Sequence, residues 1–303
     1  CQCLILDEVS MIDALLMYHL LKALPATSCL VLVGDADQLP SVGPGCVLND
    51  IIRCARVPVV ELNKIFRQAE ASEIIVNAHR INDGLMPVQH DEGEFYFIKQ
   101  EDPEEVVRLI LKLCHERIPA RFGLDPVNDI QVLSPMHRGP AGVSNLNRVL
   151  QETLNPGTLE LTHGERRLRR GDKVMQIRNN YEKEVFNGDI GRVESIDTEA
   201  RVVVVRYEDR RVRYEATELD EIILAYAVSV HKSQGSEFPA VIVPVLTQHY
   251  LLLQRNLLYT AVTRGKQLVI LIGTKKALAI ALKNVDTRER YSGLRARLAE
   301  AQR

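Results

Sequence analysis

Nowhere in the 303 residues does an apolar run approach the roughly 20 residues that a helix needs to cross a bilayer, so no transmembrane helix and no membrane partner are expected. The opening CQCLILDE has no basic flank and no small-residue cleavage site. That argues against a signal peptide and for a cytoplasmic setting. C-x-x-C pairs are also missing: Cys1 and Cys3 form a C-x-C that no histidine cluster completes, so a structural zinc site is not expected. The six cysteines (Cys1, Cys3, Cys29, Cys46, Cys54, Cys114) sit mostly in apolar stretches and read as buried free thiols of a reducing compartment. A surplus of charge is lacking too. The net value is −2, so global charge offers no argument for a nucleic-acid partner. There is no internal repeat and no low-complexity segment.

What is present suits a two-domain protein with a small insert. Hydrophobic residues make up 46% and charged residues 26%, enough for a sizeable core. CLILD is a short apolar run bounded by acids, IDALLMYHLLKAL has apolar residues at helical spacing, and SCLVLVGD repeats the first pattern. Strand, helix, strand with apolar strands predicts a parallel α/β sheet. A polar, helix-forming stretch runs from Asn63 to Asn82, GLMPVQHDEGEF reads as a linker, and PEEVVRLILKLCHERI as an amphipathic helix opened by proline and glutamates. DIQVLSP starts a second strand system. From about 165 to 218 the pattern changes to short strands joined by Gly, Asn and Asp turns (GDKVMQIRN, GDIGRVESID, RVVVVRYED, RVRYEA), predicting a small antiparallel barrel or meander. The α/β pattern then resumes with ILAYAVSVHKSQG, AVIVPVL, a helix containing NLLYTAVTRG, and QLVILIG. Between His163 and Lys183 seven Lys or Arg (Arg166, Arg167, Arg169, Arg170, Lys173, Arg178, Lys183) stand against three acids (Glu165, Asp172, Glu182). This is either a phosphate-binding stripe or a solvated charged face.

Asp7-Glu8 closes the first strand and Gly34-Asp35 the second, at the carboxyl ends where α/β sheets carry functional groups. One carboxylate there can help fix a magnesium ion and the next can polarise an attacking water. Gln38 is a neutral donor able to touch a terminal phosphate. LILDEVSMID and VGDADQLPSVGPG resemble motifs II and III of superfamily-one helicases, in detail their RecD-like branch. The resemblance continues through IFRQ (65–68), LSPMHRGPAGVSNLN (133–147), GDKVMQIRNNYEKEVFNGDIG (171–191), AYAVSVHKSQGSEF (225–238) and LLYTAVTRGK (257–266), in one order over nearly the whole chain.

The resemblance implies an α/β fold of two RecA-like parallel-sheet motor domains, the first incomplete, with a small SH3-like β-barrel inserted in the second. The expected boundaries are 1–92 for the first domain, 93–164 and 219–303 for the second, and 165–218 for the insert. It implies that Glu8, Gln38, Arg67 and Arg264 are catalytic, with Asp7 and Glu8 holding Mg2+ and Asp7, Asp35, Gln234 and Gly235 facing ATP. Arg264 is then the arginine finger and Arg67 plays a similar part, roles that a fixed charge and forked donors suit. From the residues alone, each arginine reads rather as a helix cap or as the partner of a surface acid. Gly235 lets backbone N–H groups approach an anion, and His231, Lys232 and Ser233 beside it are phosphate contacts by the resemblance. His231 reads equally as an ordinary loop histidine. His137 and Arg138 follow a strand and can offer a cation and amides to a DNA phosphate. Asn179, Asn180 and Tyr181 lie near the basic stripe, where amides and aromatics suit single-strand stacking. Tyr181 stands open between that role and the core, while Phe186 reads as barrel core. The implied partners are single-stranded DNA and single-strand/duplex junctions, with 5′-to-3′ polarity; no protein partner is legible.

A G-x-x-x-x-G-K-[ST] loop occurs nowhere, and GPGCVLND has the glycines without the lysine. In the resembled family this loop precedes motif II. It is therefore expected upstream of Cys1, and these 303 residues alone are expected to show negligible ATPase activity. Two other functions fit less of the sequence. A helicase module of a conjugative relaxase is disfavoured by the wording of DEVSM and GDADQLPSVGPG. A non-hydrolysing DNA-binding subunit has no use for Glu8, Gln38, Arg67 and Arg264.

Overall fold

The computed structural model describes residues 1–62, 72–157, 159–164, 166–285 and 293–300. Its first parallel pair is β1 (Cys3–Leu6) and β2 (Cys29–Leu32), joined through α1 (Ala14–Ala23) and registered Cys3 to Cys29. Asp13 caps α1 by accepting from the Leu16 amide at 2.7 Å. A small core of Val9, Met17, Val47 and Leu48 lies between this pair and α2 (Val47–Cys54). The strands expose every other residue, so Cys1, Cys3 and Cys29 are exposed, and Cys46 and Cys54 are half-buried. The expectation of buried thiols therefore holds for Cys114 alone. Apolar neighbours in the sequence do not bury a thiol where little packs over the strand faces.

The second sheet is larger and all parallel. Its order is β12 (Ala227–Ser229), β4 (Ile130–Ser134), β13 (Phe238–Val245), β14 (Gly265–Gly273) and β3 (Phe95–Lys99). β4 and the middle of β13 are buried at every position, which is why they read as unbroken apolar runs rather than as alternation. Helices cover both faces. On one face α4 (Pro103–Lys112) continues through a π-turn (Leu113–Arg117) into α5 (Ile118–Phe122), beside α6 (Val143–Leu154). Asp102 caps α4 through the Glu104 and Glu105 amides, with Pro103 at its first turn, as the sequence predicts. The other face holds α3 (Glu73–Asn82), α7 (Arg255–Val262) and α8 (Lys275–Lys283). Ile74, Ala78 and Ile81 of α3 share one core with β14 and α7.

The insert is an antiparallel sheet of order β10 (Arg211–Tyr214), β9 (Val202–Arg206), β8 (Ile190–Asp197), β7 (Lys173–Gln176) and β11 (Ile222–Leu224), preceded by the hairpin β5 (Glu160–His163) and β6 (Arg166–Arg169). Val174, Val193, Val203, Val205 and Tyr214 form its core. A buried carboxylate fastens it to the second parallel sheet. Asp172 accepts from Gln151 Nε2 at 2.6 Å, Asn155 Nδ2 at 2.7 Å, Tyr226 Oη at 2.9 Å and the Arg169 amide at 2.6 Å. Burial pushes this carboxyl above the usual range, and the four donors oppose that rise.

His249, 1% exposed beyond the end of β13, is pushed down to about 4 by burial. The unfolded chain takes up this proton near pH 6.5 while the fold refuses it until about pH 4. Stability is therefore expected to fall through that window, by a contribution on the order of 3 kcal/mol. Urea titrations at pH 7 and pH 4.5 should show a steeper loss for the unsubstituted protein than for His249→Gln. Parallel losses would reject this assignment.

Candidate nucleotide cleft and nucleic-acid face

The two carboxylate turns are brought together. The Val9 amide donates to the Val33 carbonyl at 3.0 Å, and a Cβ on Gly34 would stand 3.0 Å from the Val9 amide nitrogen, so this close approach needs a glycine. Asp7 is exposed, and its Oδ1 accepts from the Glu8 amide at 2.8 Å. Glu8 adopts φ 53 and ψ 39, a left-handed conformation costing a non-glycine residue roughly 1–2 kcal/mol. Such strain at a candidate site holds a side chain where an ordinary turn would not. Next to it the Ser10 hydroxyl is buried without a partner among the described residues, as is Gln38 Oε1. The Gln38 amide nitrogen donates to Asp35 Oδ2 at 3.2 Å, so the atom it leaves over is an acceptor rather than a donor.

The loop that bears Asp35 is tied to the second sheet's elements. Tyr259 Oη donates to Asp35 Oδ2 at 2.9 Å, the Leu39 amide to Thr260 Oγ1 at 2.8 Å, and Gln234 Nε2 to the Leu39 carbonyl at 2.7 Å. Leu39 itself, 3% exposed, belongs to the core around α7. Asn82 at the end of α3 donates to Asp37 at 2.7 Å. Tyr259, Thr260, Leu39 and Asn82 were not singled out from the sequence. The first two stand one helical turn before Thr263 and Arg264, and that spacing is the signal that could have found them.

Arg264 follows α7 and is only 5% exposed. Its guanidinium donates to the Thr260 carbonyl at 3.3 Å, the Ser236 carbonyl at 3.2 Å and Thr263 Oγ1 at 3.3 Å. Every one of these acceptors is neutral, and no carboxylate pairs with it among the described residues. A buried cation without a counter-anion is costly unless an anion arrives. Arg67 lies outside the described residues. Gly235 has φ 74 with open space around it, so the backbone conformation rather than crowding calls for glycine there. Lys232 is half-buried, and burial lowers its pKa.

His137 and Arg138 are exposed in the turn before α6, where the Ser144 amide donates to the His137 carbonyl. His231 is exposed as well. Asn180 is engaged locally: its amide donates to Glu221 at 3.2 Å and its Oδ1 accepts from the Lys183 amide at 3.1 Å. Tyr181 is 75% exposed. Phe186, expected in the barrel core, is instead 42% exposed and packs edge-on against Tyr181 with ring centroids 5.9 Å apart. The Asn180–Val185 bridge turns Val185 into the core and leaves Phe186 outside. The basic stripe is largely neutralised. Arg166 pairs with Asp220, Arg167 and Arg169 with Glu160, and Lys183 with Glu218. A cavity of about 910 Å³ between the insert and the Gly235 loop mixes Lys173, Arg192, Arg206 and Arg210 with five carboxylates. A nucleic-acid strand there meets a mixed surface, not a uniformly cationic one.

A magnesium ion commonly uses one or two carboxylates together with waters and substrate phosphates. The Asp7-Glu8 turn with buried, unpartnered Ser10 and Gln38 oxygens fits that demand, and among the described residues no cluster of three or more His, Cys, Asp or Glu offers an all-protein cage.

Two parallel-sheet lobes that meet through acid-bearing loops define a RecA-like α/β fold. The sequence profile of the ATP-dependent RecD-like DNA helicase SH3 domain matches residues 146–207, that of the UvrD-like helicase C-terminal domain 224–272, and that of an AAA domain 1–96. The chain is 36% identical over 278 residues to the ATP-dependent RecD2 DNA helicase of Deinococcus radiodurans, covering 92% of this chain and 37% of that protein. It is 32% identical to the RecBCD enzyme subunit RecD of Mycolicibacterium smegmatis, covering 98% and 54%. The chain belongs to the RecD-like helicases. It spans from about a third to about half the length of these curated relatives. In fold it is similar to a Pif1 helicase from Bacteroides solved with ADP-AlF3 and single-stranded DNA, with TM-score 0.54, 21% identity, and coverage of 89% of this chain and 70% of that one.

Proposed function

We propose that these residues form the greater part of an ATP-driven DNA helicase motor that moves 5′ to 3′ on single-stranded DNA and opens single-strand/duplex junctions. The observation that carries this reading is Arg264, a buried guanidinium that faces only neutral oxygens among the described residues. A γ-phosphate supplies the missing negative charge, and the arginine in return stabilises charge on the transferring phosphoryl group. Glu8 polarises the attacking water, the Gln38 oxygen accepts from that water and helps to orient it, and Arg67 supports Arg264. Asp7 and Glu8 would hold Mg2+, which contributes charge neutralisation at the phosphate oxygens. Asp35, Gln234 and Gly235 shape the nucleotide side of the seam. His137, Arg138, Asn180, Tyr181, His231 and Lys232 form the DNA side.

In domain terms we assign 1–92 to the first motor domain, with α3 lodged on the second sheet, 93–164 and 219–303 to the second, and 165–218 to the insert, whose sheet and hairpin also take in β11 and β5 from the flanking segments. The amide cradle for the β- and γ-phosphates has no counterpart in these residues, so the reading places it on another segment of the protein.

The test is strand displacement and DNA-stimulated ATP turnover by the full-length protein, beside the 303 residues alone. Unwinding from 5′ tails by the former and background turnover by the latter are expected. Unwinding only from 3′ tails would refute the polarity, robust turnover by the 303 residues would refute the missing cradle, and no turnover by the full-length protein would refute the motor.

A further inference from the structure

Tyr259 has no place in the chemistry above, yet its hydroxyl reaches from α7 to the loop that carries Gln38. Asp35 Oδ2 accepts two hydrogen bonds at once, from Tyr259 Oη at 2.9 Å and from Gln38 Nε2 at 3.2 Å. The second of these decides which way the Gln38 amide faces. With its nitrogen turned to Asp35, its oxygen is left buried, with no partner among the described residues. The first ties the position of Asp35 to α7, whose next turn carries Arg264. Burial, with Asp35 close by, pushes the tyrosine hydroxyl well above the usual phenol range, so it remains a donor. Arg264 and Asp35 both act on this hydroxyl.

We propose that Tyr259 is a positioning residue: through Asp35 it sets the orientation of the Gln38 amide and so links that side chain to the helix that ends at Arg264. This rests on the motor reading, and it adds to it the residue that makes the two halves of the seam depend on each other. Two further contacts on the same loop hold α7 and the loop in register, the Leu39 amide on Thr260 Oγ1 and Gln234 on the Leu39 carbonyl. Tyr259→Phe therefore removes one donor while leaving the loop seated. Without that donor the Asp35 carboxylate no longer follows α7, and Gln38 samples orientations in which its oxygen is turned away.

The experiment is a double-mutant cycle in the full-length protein, read as DNA-stimulated ATP turnover. Tyr259→Phe is expected to lower kcat about tenfold with KM for ATP changed less than about twofold. Gln38→Ala is expected to lose more, and the double variant no more than Gln38→Ala alone, because the tyrosine acts only through the glutamine. Asp35→Asn, which also faces the nucleotide, should lose at least as much as Tyr259→Phe, and adding Tyr259→Phe to it should cost nothing further. Thermal melting of Tyr259→Phe should stay close to that of the unsubstituted protein. Multiplying losses in the double variants, an unchanged kcat in Tyr259→Phe, or a loss that tracks a lowered Tm would each overturn the proposal while leaving the motor standing. An unsubstituted protein with no turnover would overturn the motor reading and the relay with it.

Discussion

Replacing Arg264 by alanine in the full-length protein is expected to reduce DNA-stimulated ATP turnover by about 10³-fold or more, the magnitude associated with an arginine aimed at a transferring phosphoryl group. Its surroundings explain why stability should barely move. Among the described residues the guanidinium bonds only to two carbonyls and a hydroxyl, at 3.2–3.3 Å, so its removal leaves none of their carboxylates without a partner. Binding of single-stranded DNA without nucleotide should stay within a few-fold, since this side chain is only 5% exposed. Arg264→Lys tests the fork: a point charge keeps the sign and loses the paired donors, so most of the defect should remain. Turnover within tenfold of the unsubstituted protein for Arg264→Ala would remove the arginine from the chemistry and take away the observation on which the motor reading rests.

The second large effect concerns stability. Asp172→Ala is expected to cost about 3–5 kcal/mol, because it strands four donors around a buried cavity. Two come from α6 and the residue after it, one is Tyr226 before β12, and the last is the Arg169 amide of the hairpin. The loss should therefore appear first at the junction. Amide protection along Lys173–Gln176 should drop before protection of β13 and β14 does, when followed by hydrogen exchange. Asp172→Asn keeps the shape but turns an N–H toward donors and should recover little. A cost below about 1 kcal/mol, or uniform loss of protection, would show that the insert is held by its apolar contacts instead.

The motor sheets were legible because their signal is local. FPAVIVPV and QLVILIG are too apolar to be surface strands, and the capping of α4 by Asp102 with Pro103 behind it is written in adjacent residues. What escaped the sequence depends on partners far along the chain. The stripe from His163 to Lys183 reads as cationic until Glu218 and Asp220, some fifty residues later in one case and thirty-five in the other, fold back onto it. Phe186 reads as core because a phenylalanine beside valine in a β-rich segment usually is, and only the Asn180–Val185 bridge decides which of the two faces inward. In the candidate site the residue types at the strand ends were legible and their backbone was not. Nothing in DEVS announces that Glu8 takes a left-handed conformation. Nor does the motif that contains Tyr259 and Thr260 announce that they grip a loop more than two hundred residues upstream.

That grip constrains how the two lobes can part. Leu39 sits in the other lobe's core with both of its backbone groups held, so it works as a ball in a socket. Withdrawing it exposes a side chain whose burial contributes about 1.5–3 kcal/mol and breaks two hydrogen bonds besides. Rotation around Leu39 keeps that side chain seated but must break the bonds from Tyr259 to Asp35 and from Asn82 to Asp37 on the same loop. The loop therefore fastens the lobes like a rivet with several teeth, which release together or not at all.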